Sequence, residues 1–320
     1  MNVLVDKRGV VLILVLSMVA LFTAMIVNFT ADEGLDIELA YNFKDSLQAQ
    51  YIARAGVEAA AVILSEDDAR YDSLDEQWAD FAEYAIASSS YLEGAQFTGT
   101  ITDEFSKVDL NSLANQDQRE FRVAQFKRLF TVLNIDITDD ELDDLTKALI
   151  DWLDADSETT FGAEDEYYQS LEPPYQCKNG PMDSPEEILL VKGMKNEYFY
   201  GTENHEGIRN YVTVGTGTKV NINTASETVL MSLSERFTED VVNSIIACRP
   251  FTDTTYDCIR GIDLNDGSTE STWIKNTLSV KSTRFLVDVK GIMPSGALVN
   301  VKTVMERINN KPRIVYYRIY

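Results

Sequence analysis

An uncharged run of 18 residues, Val10 to Val27 (VVLILVLSMVALFTAMIV), constrains this chain more than any other feature. As a helix rising about 1.5 Å per residue it reaches about 27 Å, close to the ~30 Å hydrocarbon thickness of a bilayer, so it reads as a membrane-spanning helix. Lys7 and Arg8 precede it, and Asp32, Glu33, Asp36 and Glu38 follow it. The positive-inside rule then leaves the N-terminus in the cytoplasm and carries everything after about residue 30 across the membrane. An ordinary signal peptide fits poorly: the run is too long, no Ala-x-Ala site clearly ends it, and the helical pattern continues past it. Leu35, Leu39, Phe43, Leu47 and Tyr51 recur every fourth residue, followed by Val57, Ala61 and Leu64, and no proline occurs before Pro173. One helix can therefore run from Val10 to about Leu64, with Gly34 and Gly56 as its weak points. The Leu35–Tyr51 face is expected to pack on the chain's own sheet and on neighbouring helices.

Composition removes several classes of function. With 52 acidic against 28 basic residues the net charge is −24, which disfavours nucleic acid and anionic membrane surfaces as partners. A single histidine, His205, rules out a multi-histidine zinc site, and its polar setting suits a surface residue. The charge is uneven. From Ile135 to Leu190 there are 17 Asp/Glu and two Lys, whereas from Lys281 to Tyr320 there are eight Lys/Arg and two Asp/Glu, so the two stretches are expected in different structural units.

Lys7-Arg8-Gly9 directly before the apolar helix resembles the leader of type IV pilins and type II secretion pseudopilins, which prepilin peptidase cuts between the positions occupied here by Gly9 and Val10. The fifth residue after that cut is usually Glu in pilins and is Leu14 here, which resembles the general secretion pathway protein K family of large minor pseudopilins.

Beyond the long helix, Leu74 to Ser88 has helical spacing and Gln96 to Asp103 alternates like a strand. Three further strands are expected at 284–290, 298–306 and 313–320, joined by short turns into an antiparallel meander. The stretch between is mainly helical. Helices are expected at Gln116–Leu133 and at Thr138–Leu153, where Thr138 and Glu141 can form a capping box. Ser184-Pro185-Glu186-Glu187 reads as another capped helix start. A near-repeat, Lys107 to Ser112 and Lys219 to Thr224, places polar turns before helices. Its second copy, with helices near Ala225–Leu233 and Thr238–Arg249, resembles a helix-hairpin-helix DNA module, but the turn Ser234-Glu235-Arg236-Phe237 lacks the glycines that let backbone approach phosphate. The expected class is α+β: a pilin-like long N-terminal helix on an antiparallel sheet, with a large inserted α-helical domain. The expected divisions are a leader at 1–9, the transmembrane part at 10–28, helix and first strand at 29–107, the insert at 108–275 and C-terminal strands at 276–320.

Asp154, Asp156, Glu158, Glu164 and Asp165 are the candidate metal ligands. Counted from Asp154, Asp156, Glu158 and Asp165 fall at positions three, five and twelve, as in a calcium loop, but position six is Thr159 rather than Gly. Spacing alone supports a solvated acidic loop equally well. Resemblance to the K family, whose helical domain binds calcium, implies calcium. Three cysteines allow three pairings; Cys248 with Cys258 is the expected one, worth about 2–3 kcal/mol by loop closure, and Cys177 is left over.

No convergent catalytic set is present, so a non-enzymatic role is expected. The resemblance implies a minor pseudopilin at the tip of the type II secretion pseudopilus, in the inner membrane with most of the chain in the periplasm, cut and methylated at Val10. Its implied partners are minor pseudopilins of the H, I and J types, the major pseudopilin, prepilin peptidase and the inner-membrane secretion platform. A minor pilin of a type IV pilus or DNA-uptake machine shares the leader and is the alternative.

Overall fold

The computed structural model describes residues 7–68, 70–158 and 162–320. Most of the expected leader, residues 1–6, lies outside them. Helix α1 spans Lys7–Glu66, 60 residues or about 90 Å, and is long and apolar enough to cross a membrane. With no proline to break its ladder, Gly34 and Gly56 are both accommodated within it. Gly56 serves close approach: a Cβ there would stand 2.7 Å from Val289 Cγ1.

The face of α1 that packs on the sheet includes the expected Val57 and Leu64 but not the stripe from Leu35 to Tyr51. Ala49, Ala53, Val57, Ala60 and Leu64 are buried, whereas Leu35, Leu39, Phe43 and Tyr51 are each at least 60% exposed and Leu47 is 39% exposed. Small residues win the sheet side because they let the helix axis come close. The larger stripe, mostly one turn or more below the sheet, has nothing of this chain to lie on. The helix expected from Leu74 is also shorter, α2 being Phe81–Ile86. Residues ahead of it form polar turns in which the Ser73 amide donates to Glu76 Oε2 at 2.8 Å, Trp78 Nε1 donates to the same oxygen at 3.0 Å, and Leu74 stays exposed. Local side-chain bonds here outcompete the helical ladder.

Strand β1, Gln96–Asp103, leads into the insert. There follow β2 (Val108–Asp109), α3 (Arg119–Val132), α4 (Asp139–Leu153), α5 (Asp165–Gln169) and α6 (Asn196–Tyr200). After them come β3 (Val212–Thr213), β4 (Val220–Asn221), α7 (Glu227–Leu233), α8 (Glu239–Cys248), α9 (Thr269–Thr277) and β5 (Leu278–Ser279). The expected capping box starts α4, with Thr138 and Glu141 satisfying each other's backbone amides. Ser184 caps nothing: Pro185–Leu190 is a 3-10 turn, and Glu187 accepts from the Asp183 amide at 3.0 Å and pairs with Lys178.

Where one helical domain was expected, the insert holds two hydrophobic cores. One gathers Phe126, Phe130, Leu149, Trp152, Tyr168 and Phe199; the other gathers Leu230, Phe237, Val241, Ile245, Trp273 and Ile274. The near-repeat marks their entries. Asp109 accepts from the Asn111 amide at 2.9 Å and Asn221 from the Asn223 amide at 3.0 Å, and β2 and β4 each make a short parallel pairing, with β3 and β5 respectively. In the turn between α7 and α8, Phe237 is buried and Arg236 Nη1 donates to Ser271 Oγ at 2.6 Å, so that arginine serves the fold.

Strands β6 (Arg284–Ile292), β7 (Leu298–Ile308) and β8 (Lys311–Ile319) form the expected meander. With β1 they make one antiparallel sheet in the order β1-β6-β7-β8, and Asp103 stands opposite Phe285 in the ladder. Ile101, Phe285, Val287, Val289, Val301 and Met305 point from this sheet toward α1, closing a third core with Trp78 and Phe81. Gly291 allows the tightest contact, since a Cβ there would run into the Ala49 carbonyl. The fold is thus the α+β arrangement expected.

Candidate metal centre

The candidate centre is built where α4 ends. Asp154 caps the helix with its amide on the Ile150 carbonyl at 3.0 Å, and the chain turns back after Ser157. Gly162 crosses the flank of α4 so closely that a Cβ would sit 2.6 Å from the backbone of Ala148, and its amide donates to Asp151 Oδ2 at 2.9 Å. Only a residue without a side chain fits this crossing, and it delivers Glu164 to the end of the helix.

There Asp154, Asp156 and Glu164 each offer an oxygen within 4.8 Å of the others. Asp156 is exposed, Asp154 half-buried and Glu164 buried. Both Glu164 oxygens and Asp154 Oδ1 are buried without a hydrogen-bond partner. Burial raises the Glu164 carboxyl above its ordinary range, and the neighbouring carboxylates of Asp151, Asp154 and Asp156 push the same way. Asp154 is raised by burial first, then by Asp156 and Asp151. A buried carboxylate without a donor is costly, and a hard cation with oxygen ligands is the group this donor set suits.

The other two expected ligands stand outside this trio. Asp165 begins α5 and accepts from the Cys177 amide at 2.8 Å, and Glu158 is exposed with its amide on Asp156 Oδ1 at 2.9 Å. The EF-hand count grouped them with Asp154 and Asp156, whereas the crossing at Gly162 brings Glu164, also an expected ligand, beside that pair. Thr159, the sixth position of that count, lies outside the described residues. Asp151, at the end of α4 beside the cluster, accepts from the Gly162 amide.

A second carboxylate group, Asp67, Asp72 and Glu76, was not foreseen. It is satisfied by protein. Arg307 Nη1 pairs with Asp67 at 2.7 Å, its Nη2 pairs with Asp72, and Glu76 holds the turn described above. The same hub reaches Asp103, whose Oδ2 accepts from Ser282 Oγ at 2.6 Å, Thr224 Oγ1 at 2.5 Å and Asn221 Nδ2 at 3.1 Å. Burial lifts Asp103 to about 6 and Glu76 to about 7. This hub joins sheet and insert; its members lie too far apart in sequence for any spacing rule to collect them.

Cys248 and Cys258 bring their sulfurs to disulfide distance with Cα atoms 6.2 Å apart, and Cys177 is buried near Glu164, its thiol pushed up to about 12 by burial. His205 is half-buried in its polar turn, with Nδ1 3.1 Å from the Glu206 carbonyl oxygen.

Residues 106–205 match the family model described as type II secretion system (T2SS), protein K. Type II secretion system protein K of Aeromonas hydrophila is 27% identical over 203 residues, 59% of this chain and 59% of that protein. The Klebsiella pneumoniae protein of the same name is 28% identical over 199 residues, 59% of this chain and 58% of that protein. The matched stretch therefore spans less than two thirds of these relatives. A chain in the crystal structure of the GspK-GspI-GspJ complex from the enterotoxigenic Escherichia coli type 2 secretion system shares the fold over 88% of this chain and 99% of its own, with a TM-score of 0.65 at 17% identity.

Proposed function

Because this chain belongs to the type II secretion system protein K family, we propose that it is a minor pseudopilin seated at the tip of a short periplasmic pseudopilus. The observation that carries this reading is α1: an uncharged lower part, an exposed apolar stripe from Leu35 to Tyr51, and an upper part buried on the sheet. A helix of this kind is anchored in lipid first and buried among neighbouring helices later. The large insert would obstruct stacking of further subunits above it, which suits a terminal position. Protein I and J types, named with K in the complex of similar fold, are the first partners to expect, followed by the H type and the major pseudopilin.

The orientation that the positive-inside rule gives α1 supports placing it in the inner membrane with most of the chain in the periplasm. Prepilin peptidase would cut between Gly9 and Val10 and leave Val10 as a methylated N-terminus. The Asp154, Asp156 and Glu164 oxygens would hold calcium, whose positive charge would offset the buried Glu164 carboxylate and its two neighbours. Cys248 and Cys258 would form a disulfide in that oxidising compartment. In this reading the chain works by assembly and is not an enzyme.

The test is complementation of a secretion-competent strain lacking its protein K, with mass spectrometry of the recovered chain. Restored export together with a mature N-terminus at Val10 is expected. Processing elsewhere with export unrestored would sink the reading.

A further inference from the structure

The outer face of the sheet, opposite α1, meets the insert in a cavity of about 750 Å³. Its walls carry Lys107, Arg209, Arg284, Lys302 and Arg318, a concentration of positive charge in a chain of net charge −24. Lys107 is neutralised by Glu104 at 2.8 Å. Among the described residues the other four form no ion pair. Arg209 and Arg318 lie over the rings of Tyr200 and Tyr320, and Arg284 Nη1 donates to the Gly215 carbonyl at 3.3 Å. Of the carboxylates on the wall, Glu104 also accepts from Thr213, Asp183 pairs with Lys178 at 2.7 Å, and Glu186 is exposed. Asp288 stands opposite Lys302 in the ladder without closing on it.

Strand β8 borders this cavity through Tyr316 and Arg318 and is an edge of the sheet. Every residue of it except Pro312 is exposed, and Ile314, Val315, Tyr316, Tyr317 and Ile319 are 38–44% exposed. This nine-residue edge carries Ile314, Val315, Tyr316, Tyr317 and Ile319 among three cations, and with half its backbone groups unpaired it is a template for another strand. Four cations beside it form no ion pair among the described residues, although Asp288 and Glu306 stand opposite Lys302 and Arg284 in the ladder, and they select the charge of that strand.

We propose that the free edge of β8 and the adjoining basic cleft bind an extended, carboxylate-rich segment of a partner protein, added to the sheet as a fifth strand. Its backbone would complete the β8 ladder while carboxylates on its cleft side meet Arg318 on β8 and, one strand further in, Lys302, which stands opposite Arg318 in the ladder. The inference goes beyond the filament reading and does not need it, since a chain that failed to restore export could still bind such a segment.

The probe is a fluorescent acetylated octapeptide of alternating Glu and Val, titrated by anisotropy against the full chain in detergent at low salt. Saturable binding is expected, falling about tenfold or more in a Lys302→Glu, Arg318→Glu double variant and unchanged in Arg260→Glu, an exposed cation away from the cleft. A peptide N-methylated at alternate residues should also lose about tenfold, because it keeps its charge but cannot extend the ladder. The milder Lys302→Gln, Arg318→Gln variant, with an unchanged thermal midpoint, guards against misfolding and should also weaken binding. Equal binding of a Gln-Val peptide, indifference to both double variants, or full binding of the methylated peptide would overturn the proposal. Dimerisation of the full chain abolished by the same reversal would assign the cleft to a second copy and overturn it too.

Discussion

At the scale of the residue, Glu164 offers the sharpest test because its two states predict opposite signs. Without metal, Glu164→Gln should stabilise the chain by removing an unpaired buried carboxylate. With calcium at a hundredfold excess over its Kd, the natural chain should gain about 3 kcal/mol that the variant lacks. Thermal melts with chelator and with calcium measure both, and a midpoint indifferent to calcium would remove the metal reading. The hub below the insert sets a pH dependence. Asp103 and Glu76 rise on folding from ordinary values of 3.8 and 4.5 to about 6 and about 7. The folded state therefore holds protons that the unfolded state has released, so their contribution to stability is present at about pH 4 and is lost as pH rises through 6 to 7. Melting midpoints should fall across that window, and Glu76→Gln should flatten its upper part. Asp154, Asp156 and Glu164 were legible in sequence as carboxylates crowded after a helix. That Glu164 rather than Glu158 or Asp165 lies closest to Asp154 and Asp156 was not, because it depends on the path of the loop past Ala148 rather than on spacing.

At the scale of the element, periodicity was a good guide where the ladder had no competitor. It located α1, α3, α4, β1 and the meander to within a few residues, and the Thr138 cap was legible from its own chemistry. It failed at Leu74 and Ser184, where Ser, Asp and Glu side chains bind nearby amides and shape turns instead. On α1 it found Val57 and Leu64 of the packed face but missed Ala49, Ala53 and Ala60, since a stripe of large residues looks like a core and a stripe of alanines does not. That alanine face makes its own prediction. Ala53→Leu should push the helix off the sheet at a cost of about 1–3 kcal/mol, read as a lower midpoint in denaturant. Cys248→Ser should cost about 2–3 kcal/mol, and the natural chain should gain two mass units on reduction.

At the scale of the whole molecule, the exposed stripe and the buried stripe of α1 divide the labour of one helix. Phe43→Asp should leave the melting of the folded part within about 0.5 kcal/mol, as surface changes do, yet abolish co-purification with neighbouring pseudopilins. A mutant that lost both together would show instead that the stripe belongs to the fold. The −24 charge, which in sequence looked like a general property, is concentrated around the first core of the insert and opposed by the basic sheet. Finally, Asp103 and Phe285 face each other across the β1–β6 ladder although some 180 residues separate them along the chain. The insert therefore leaves and re-enters at adjacent points, as an overgrown hairpin loop would. Such a graft can be lengthened, exchanged or removed without severing any rung of the sheet, so the insert and the helix-and-sheet base are free to change independently of each other.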